Sequence, residues 1–156
     1  MALRISDRAR KRTSMDKRTK VDLICFAVII LVATVFFLNN GSDENLTWDD
    51  TQLVLTVSED MTCTIPYEQI ISVTLVENGE FGICQSGIDT KTRQSGIWEN
   101  DLLGSYVLYA YPGASPVIQI ATAEETYWIA LENSDTTTAF YEAFLIMLKD
   151  AGYNIG

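Results

Sequence analysis

Residues 21–38 form an unbroken apolar run, VDLICFAVIILVATVFFL, in which only Asp22 at the near edge and Thr34 are strongly polar. A helix lying on one side of a globular core would carry a polar stripe at 3.6-residue spacing, and none is present. The 18 residues at 1.5 Å rise span about 27 Å, close to the roughly 30 Å hydrocarbon core of a bilayer. The pattern predicts a transmembrane helix. It is longer than the apolar part of a cleaved signal, and it leaves through Phe36, Phe37, Leu38, Asn39 and Asn40 where a signal peptidase needs small residues. Cys25 lies near the start of the run, whereas a lipoprotein cysteine would follow it, and no glycine marks the boundary with the preceding basic tail. An uncleaved anchor is expected.

Residues 39–50, NNGSDENLTWDD, are polar and read as a linker. Beyond them the period changes to two, the repeat of a strand with one face buried. Leu53, Leu55 and Val57 alternate with Gln52, Thr56 and Ser58. Further strands are predicted over residues 63–65, 70–76, 81–84, 96–99, 106–111, 117–122 and 126–131. Turn signals such as Ser58-Glu59-Asp60, Glu77-Asn78-Gly79-Glu80, Asn100-Asp101 and Ala123-Glu124-Glu125 separate them, and residues 86–94 read as a polar loop. Short strands at this spacing predict an antiparallel sandwich or barrel. The last segment changes period again. Asn133, Ser134 or Asp135 is placed to cap a helix in which Phe140, Ala143, Phe144, Met147 and Leu148 recur at helical spacing. Lys149 falls in its last turn and Gly152 just beyond. Its aromatic stripe needs an apolar surface, and an open end of a β-barrel would supply one. The chain thus divides into a tail (1–20), a membrane helix (21–38), a linker (39–50), a β domain with its terminal helix (51–151) and a short C-terminal tail (152–156).

Charge follows the same division. The formal net charge of −10 combines a tail of +6, the −1 of Asp22 and a stretch from residue 39 onward of −15. Eight of the 11 Lys and Arg precede the apolar run, and none follows it until Lys91. Basic residues close to a span stay on the cytoplasmic side, so the N-terminus is expected inside and the acidic β domain outside, at the cell membrane. Near anionic lipid each contributes about 1 kcal/mol of attraction. Arg8, Arg10, Lys11, Arg12, Lys17, Arg18 and Lys20 are therefore expected to contact the inner membrane surface. Nucleic-acid binding is not expected, since the tail has no interleaved aromatic residues.

An ordered set of segments resembles the bacterial pleckstrin-homology-like domains carried on a membrane anchor. The resemblance covers about residues 52–148. It rests on Ile65-Pro66-Tyr67-Glu68-Gln69-Ile70, on Gly96-Ile97-Trp98, and on Gly104-Ser105-Tyr106-Val107-Leu108-Tyr109. Pro116-Val117-Ile118-Gln119-Ile120 and Tyr127-Trp128-Ile129-Ala130-Leu131 complete it. The resemblance implies a mainly β fold, a bent seven-stranded antiparallel barrel capped by a C-terminal α-helix, with no enzymatic activity and no cofactor. It departs from the wider pleckstrin-homology pattern in its charge. Lipid-phosphate binding there relies on a basic loop, but the loop here offers Lys91 and Arg93 beside Asp89, in a region holding 18 acids against three cations. Phosphoinositide binding is not expected, and the acidic domain should stand off anionic headgroups.

Few residues could carry chemistry. The absence of histidine excludes Ser-His-Asp and Cys-His catalysis and His-ligated zinc within the chain. Cys63 and Cys84 are a candidate disulfide if the domain lies outside, with two buried thiols as the alternative. The acidic pairs Asp49-Asp50, Glu59-Asp60 and Glu124-Glu125 fall at linker or turn positions, where solvated turns outweigh glycosidase carboxylates. No metal site is expected: Glu132-Asn133-Ser134-Asp135 and Asp43-Glu44 do not fit a calcium-loop spacing. Tyr106, Tyr109, Tyr111, Tyr127 and Trp128 crowd two strands; alternation sends about half inward. Tyr109, Tyr111 and Trp128 form the best candidate patch for a partner if they face outward. The function expected is a non-catalytic, single-pass membrane protein binding a protein or peptide at the cell envelope. The alternatives are an immunity-type protein sequestering a cationic toxic peptide and, far behind, a hydrolase using carboxylates alone.

Overall fold

A computed structural model of the chain describes residues 45–77, 79–153 and 155. They form β1 (Leu46–Trp48), β2 (Gln52–Ser58), β3 (Met61–Pro66), a 3-10 turn (Tyr67–Gln69) and β4 (Ile70–Val76). Then come β5 (Ile83–Asp89), β6 (Gln94–Asn100), β7 (Gly104–Ala110), β8 (Val117–Thr122), β9 (Thr126–Ile129) and α1 (Ser134–Asp150). The domain is mainly β with a C-terminal helix. No helix among the described residues is long and apolar enough to cross a membrane. The expected span over residues 21–38, Cys25 and the basic tail with its seven inner-surface contacts lie outside the described residues.

The strands make two sheets, β1-β2-β3 and β4-β8-β9-β7-β6-β5. All neighbours are antiparallel except β7 and β9, which run parallel, Val107 beside Tyr127 and Tyr109 beside Ile129. The seven-stranded antiparallel barrel is thus replaced by nine described strands in two sheets, one of them mixed. Two readings of polar sequence account for part of the difference. Leu46–Trp48, assigned to the linker, pairs with β2 because Leu46 has a core to enter. The loop expected over residues 86–94 is mostly strand: β5 continues to Asp89 and β6 begins at Gln94. An edge strand with both faces wet has no hydrophobic alternation to betray it, and β5 is the last strand of its sheet.

The principal core gathers Leu53, Leu55 and Val57 of β2, Val73 of β4, Ile118 and Ile120 of β8, and Phe140, Phe144 and Leu148 of α1. The expected helical stripe is the one that buries. Asn133 caps α1: its side chain accepts from the Thr136 backbone N–H at 2.9 Å, and Thr136 Oγ1 accepts from the Asn133 N–H at 3.3 Å. Beyond the helix, Tyr153 N–H donates to the Leu148 carbonyl. Asn133→Ala should lower stability by about 1 kcal/mol, seen as a shift in the urea midpoint of the full chain in mild detergent.

Side chains tie the sheets to each other and to α1. Ser95 of β6 donates from Oγ to the Val57 carbonyl of β2 at 2.5 Å. Arg93 Nη2 donates to the Thr56 carbonyl at 2.8 Å, with the guanidinium 4.6 Å above the Tyr109 ring. The Tyr67 hydroxyl donates to the Asp49 carbonyl at 2.9 Å, and its ring meets Phe144 edge-on. Burial raises the Tyr67 phenol well above its ordinary pKa, helped by Asp49 and Asp50. One of the two cations in the candidate lipid-phosphate loop is therefore committed to joining the sheets.

A second, smaller core lies on the other face of the six-stranded sheet: Trp98, Tyr106, Leu108, Ala110, Val117, Trp128 and Ala130, with Phe81 packed against it. Along β7 the side chains alternate between cores, Val107 and Tyr109 into the first, Tyr106 and Leu108 into the second. The cover for this second face is the connection between β4 and β5. Phe81 meets Trp128 edge-on at 6.3 Å, and its carbonyl accepts from the Tyr106 hydroxyl. Burial pushes that phenol up to about 12, against a smaller opposing effect of Asn100.

Candidate functional site

The β4–β5 connection is held down at a second point beside Phe81. Asn100, the last residue of β6, donates from its side-chain nitrogen to the Glu80 carbonyl at 3.0 Å. Its side-chain oxygen accepts from the Leu102 and Leu103 backbone N–H groups at 3.1 and 2.8 Å. This Asx turn at once shapes the β6–β7 corner and pins the neighbouring connection beside it. Between the two lies an open groove of about 430 Å³.

Its floor is apolar. Val76, Gly79 and Trp128 line it, and a Cβ added at Gly79 would lie 2.9 Å from the indole, so the chain passes flat over that ring. Trp128 is anchored by its Nε1, which donates to Gln119 Oε1 at 3.0 Å. At the mouth stand Ile83 and Leu102, 70% and 76% exposed. Glu77, Glu80, Glu99 and Asp101 supply four carboxylates from both sides, and no Lys or Arg lines the groove. Gln85 Nε2 donates to Glu99 at 3.0 Å and the Ser115 hydroxyl approaches Glu77 at 3.4 Å, so two of the four are oriented by neutral donors.

The residues singled out from sequence go elsewhere. Tyr109 and Trp128 are each 1% exposed and belong to different cores on opposite faces of the sheet, with Tyr111 half-buried beyond the end of β7. The expected exposed patch does not form, because Tyr109 enters the principal core while the face carrying Trp128 is roofed by the β4–β5 connection. Only Trp128 reaches the groove, as its floor.

Cys63 and Cys84 are free thiols, each half-buried and in different sheets, so neither the candidate disulfide nor the alternative of two buried thiols in adjacent strands is what forms. Cys63 packs on the principal core and Cys84 on the second, with the six-stranded sheet between those cores. Burial pushes both thiols up, reinforced by Glu125 near Cys63 and by Asp89 near Cys84, which suppresses the reactive thiolate.

The three acidic pairs serve turns. The Asp49 carboxylate accepts from Thr51 Oγ1, the Thr51 N–H and the Gln52 N–H at 2.7, 2.7 and 3.0 Å, and the Thr51 bonds above all hold its pKa below the ordinary value. Glu59-Asp60 joins β2 to β3, and at Glu124-Glu125 both N–H groups donate to Thr122 Oγ1. Among the described residues no three His, Cys, Asp or Glu side chains gather closely enough to hold a metal ion.

Sequence reasoning had Ile83 inside a strand and passed over Leu102. The signal that could have found Leu102 is a large aliphatic residue directly following the Asn100-Asp101 turn, where a solvent-facing corner has no use for one. No protein-family model, curated protein or solved structure matches the chain.

Proposed function

We propose that this chain is a non-catalytic, single-pass membrane protein that presents its β domain outside the cytoplasm, where the domain binds a protein or peptide at the cell envelope. The observation that carries the binding half is the pair Ile83 and Leu102, held in the open at the mouth of one groove. Two large aliphatic side chains exposed together over an apolar floor favour a complementary surface more than water. The anchoring half rests on the apolar run of residues 21–38 and the crowding of Lys and Arg on one side of it. A pleckstrin-homology-like ancestry is part of the proposal. A C-terminal helix packed on a core shared by two sheets speaks for it; the nine strands and the parallel β7–β9 pair depart from it.

A second reading, an immunity-type protein that sequesters a cationic toxic peptide, is favoured by the four carboxylates around the groove and the −15 balance from residue 39 onward.

Topology and site are tested together in cells expressing the full chain. Protease added to spheroplasts should destroy the C-terminal domain and leave an N-terminal tag intact. A photo-activated cross-linker in place of the Leu102 side chain should capture a partner, and one at Lys91 should not. A domain that survives until the cells are lysed overturns the membrane placement; equal capture from both positions overturns the groove.

A further inference from the structure

The groove beside Leu102 also specifies what kind of peptide it takes, an inference that rests on the binding role proposed above. We infer that its ligand is a peptide in which Lys or Arg alternates with large apolar residues, the apolar side chains seated against Ile83, Leu102 and Trp128 and the cations against the surrounding carboxylates. Three observations converge. The volume of about 430 Å³ falls within the roughly 300–1,000 Å³ of ligand pockets, suiting a short stretch of side chains better than the flat face of a folded domain. The floor and mouth are apolar, so a purely polar cation would leave Ile83 and Leu102 in water.

The charge is of one sign on both walls: Glu77 and Glu80 from the β4–β5 connection face Glu99 and Asp101 from the end of β6 and its corner. The cations described in the domain are Lys91, Arg93 and Lys149, and none lines the groove, with Arg93 already joined to Thr56. Phosphate-bearing and acidic ligands would meet repulsion without relief. A divalent ion does not account for the carboxylates, because no three of them converge among the described residues. Cations on a peptide satisfy them singly.

The test uses the full chain in nanodiscs of zwitterionic lipid, with empty nanodiscs as the blank. Three ten-residue peptides are titrated in: alternating Lys and Leu, alternating Lys and Ser, and alternating Glu and Leu. The Lys/Leu peptide should bind and weaken steeply as salt is raised. Lys/Ser should bind at least tenfold more weakly, and Glu/Leu not measurably. Glu80→Gln combined with Asp101→Asn should weaken the Lys/Leu peptide by about tenfold, and Leu102→Ser by about as much. All three positions are exposed, so the melting temperature should not move. Glu59→Gln with Asp60→Asn, in a turn outside the groove, should leave affinity unchanged.

An equal loss from the Glu59/Asp60 pair, or none from the groove variants, overturns the site. Binding of Glu/Leu instead of Lys/Leu, abolished by Leu102→Ser, overturns the ligand class and leaves the envelope-binding role standing. If no peptide binds and the Leu102 cross-linker captures nothing in cells, the role falls with the ligand.

Discussion

Trp128→Ala is expected to lower the stability of the β domain by about 3–5 kcal/mol, the cost of emptying a buried aromatic site that cannot collapse. The indole is tilted against Tyr106 at 5.1 Å and meets Phe81 edge-on, so its loss removes contacts to both the sheet and the connection that roofs it. It also leaves Gln119 without the Nε1 donor. Gly79 would then lie over a void, and the groove would lose its floor. Trp128→Phe should cost less, keeping most of the ring contacts while giving up the hydrogen bond. Urea unfolding of the full chain in mild detergent measures both. A loss below about 1 kcal/mol for the alanine variant, the level of an ordinary surface change, would show that the second core is not a structural unit.

Gly96→Ala should be of similar size, about 2–5 kcal/mol, through the backbone instead of a cavity. Gly96 and Gly87 face each other across β6 and β5, both with positive φ, 126° and 134°. A Cβ on Gly96 would lie 2.2 Å from the Ser86 carbonyl oxygen and 2.7 Å from the Gly87 Cα. Those are main-chain atoms, so relief requires separating the strands. Ile97→Ala, at the next position and partly exposed, should cost less than about 1 kcal/mol. Hydrogen exchange tells the two apart. Gly96→Ala should unprotect the amides of residues 83–89, whereas a uniform loss of protection across both sheets would mean that β5 is not detached locally.

What the sequence made legible was set by how many faces of each element are wet. Leu53, Leu55 and Val57 could be read from alternation because β2 buries one face, and Phe140, Phe144 and Leu148 from helical spacing for the same reason. The alternation fails where both faces are dry: every residue from Tyr106 to Ala110 is buried, which made Tyr109 and Trp128 look like spare aromatic surface. It fails again where both are wet, in β5, and where the element is three residues long, in β1. Pairing of β4 with β8 and of β7 with β9 joins segments far apart along the chain, which local pattern does not encode. Of the groove, only the excess of acid was visible beforehand. Its four carboxylates come from separate segments, and the fold alone puts them beside Leu102.

The order of strands in the larger sheet bears on the birth of the protein. β8 and β9 are the last strands to be synthesised, yet they stand between β4 on one side and β7 on the other. Until β8 is complete at residue 122, β4 lacks its neighbour, and until β9 is complete at residue 129 the hairpins of β5, β6 and β7 end in a raw edge. A chain paused short of that point would offer two sticky half-sheets to whatever lay nearby. Completion is therefore a keystone event: the final thirteen residues of strand and turn, arriving together, close the arch for everything made before them.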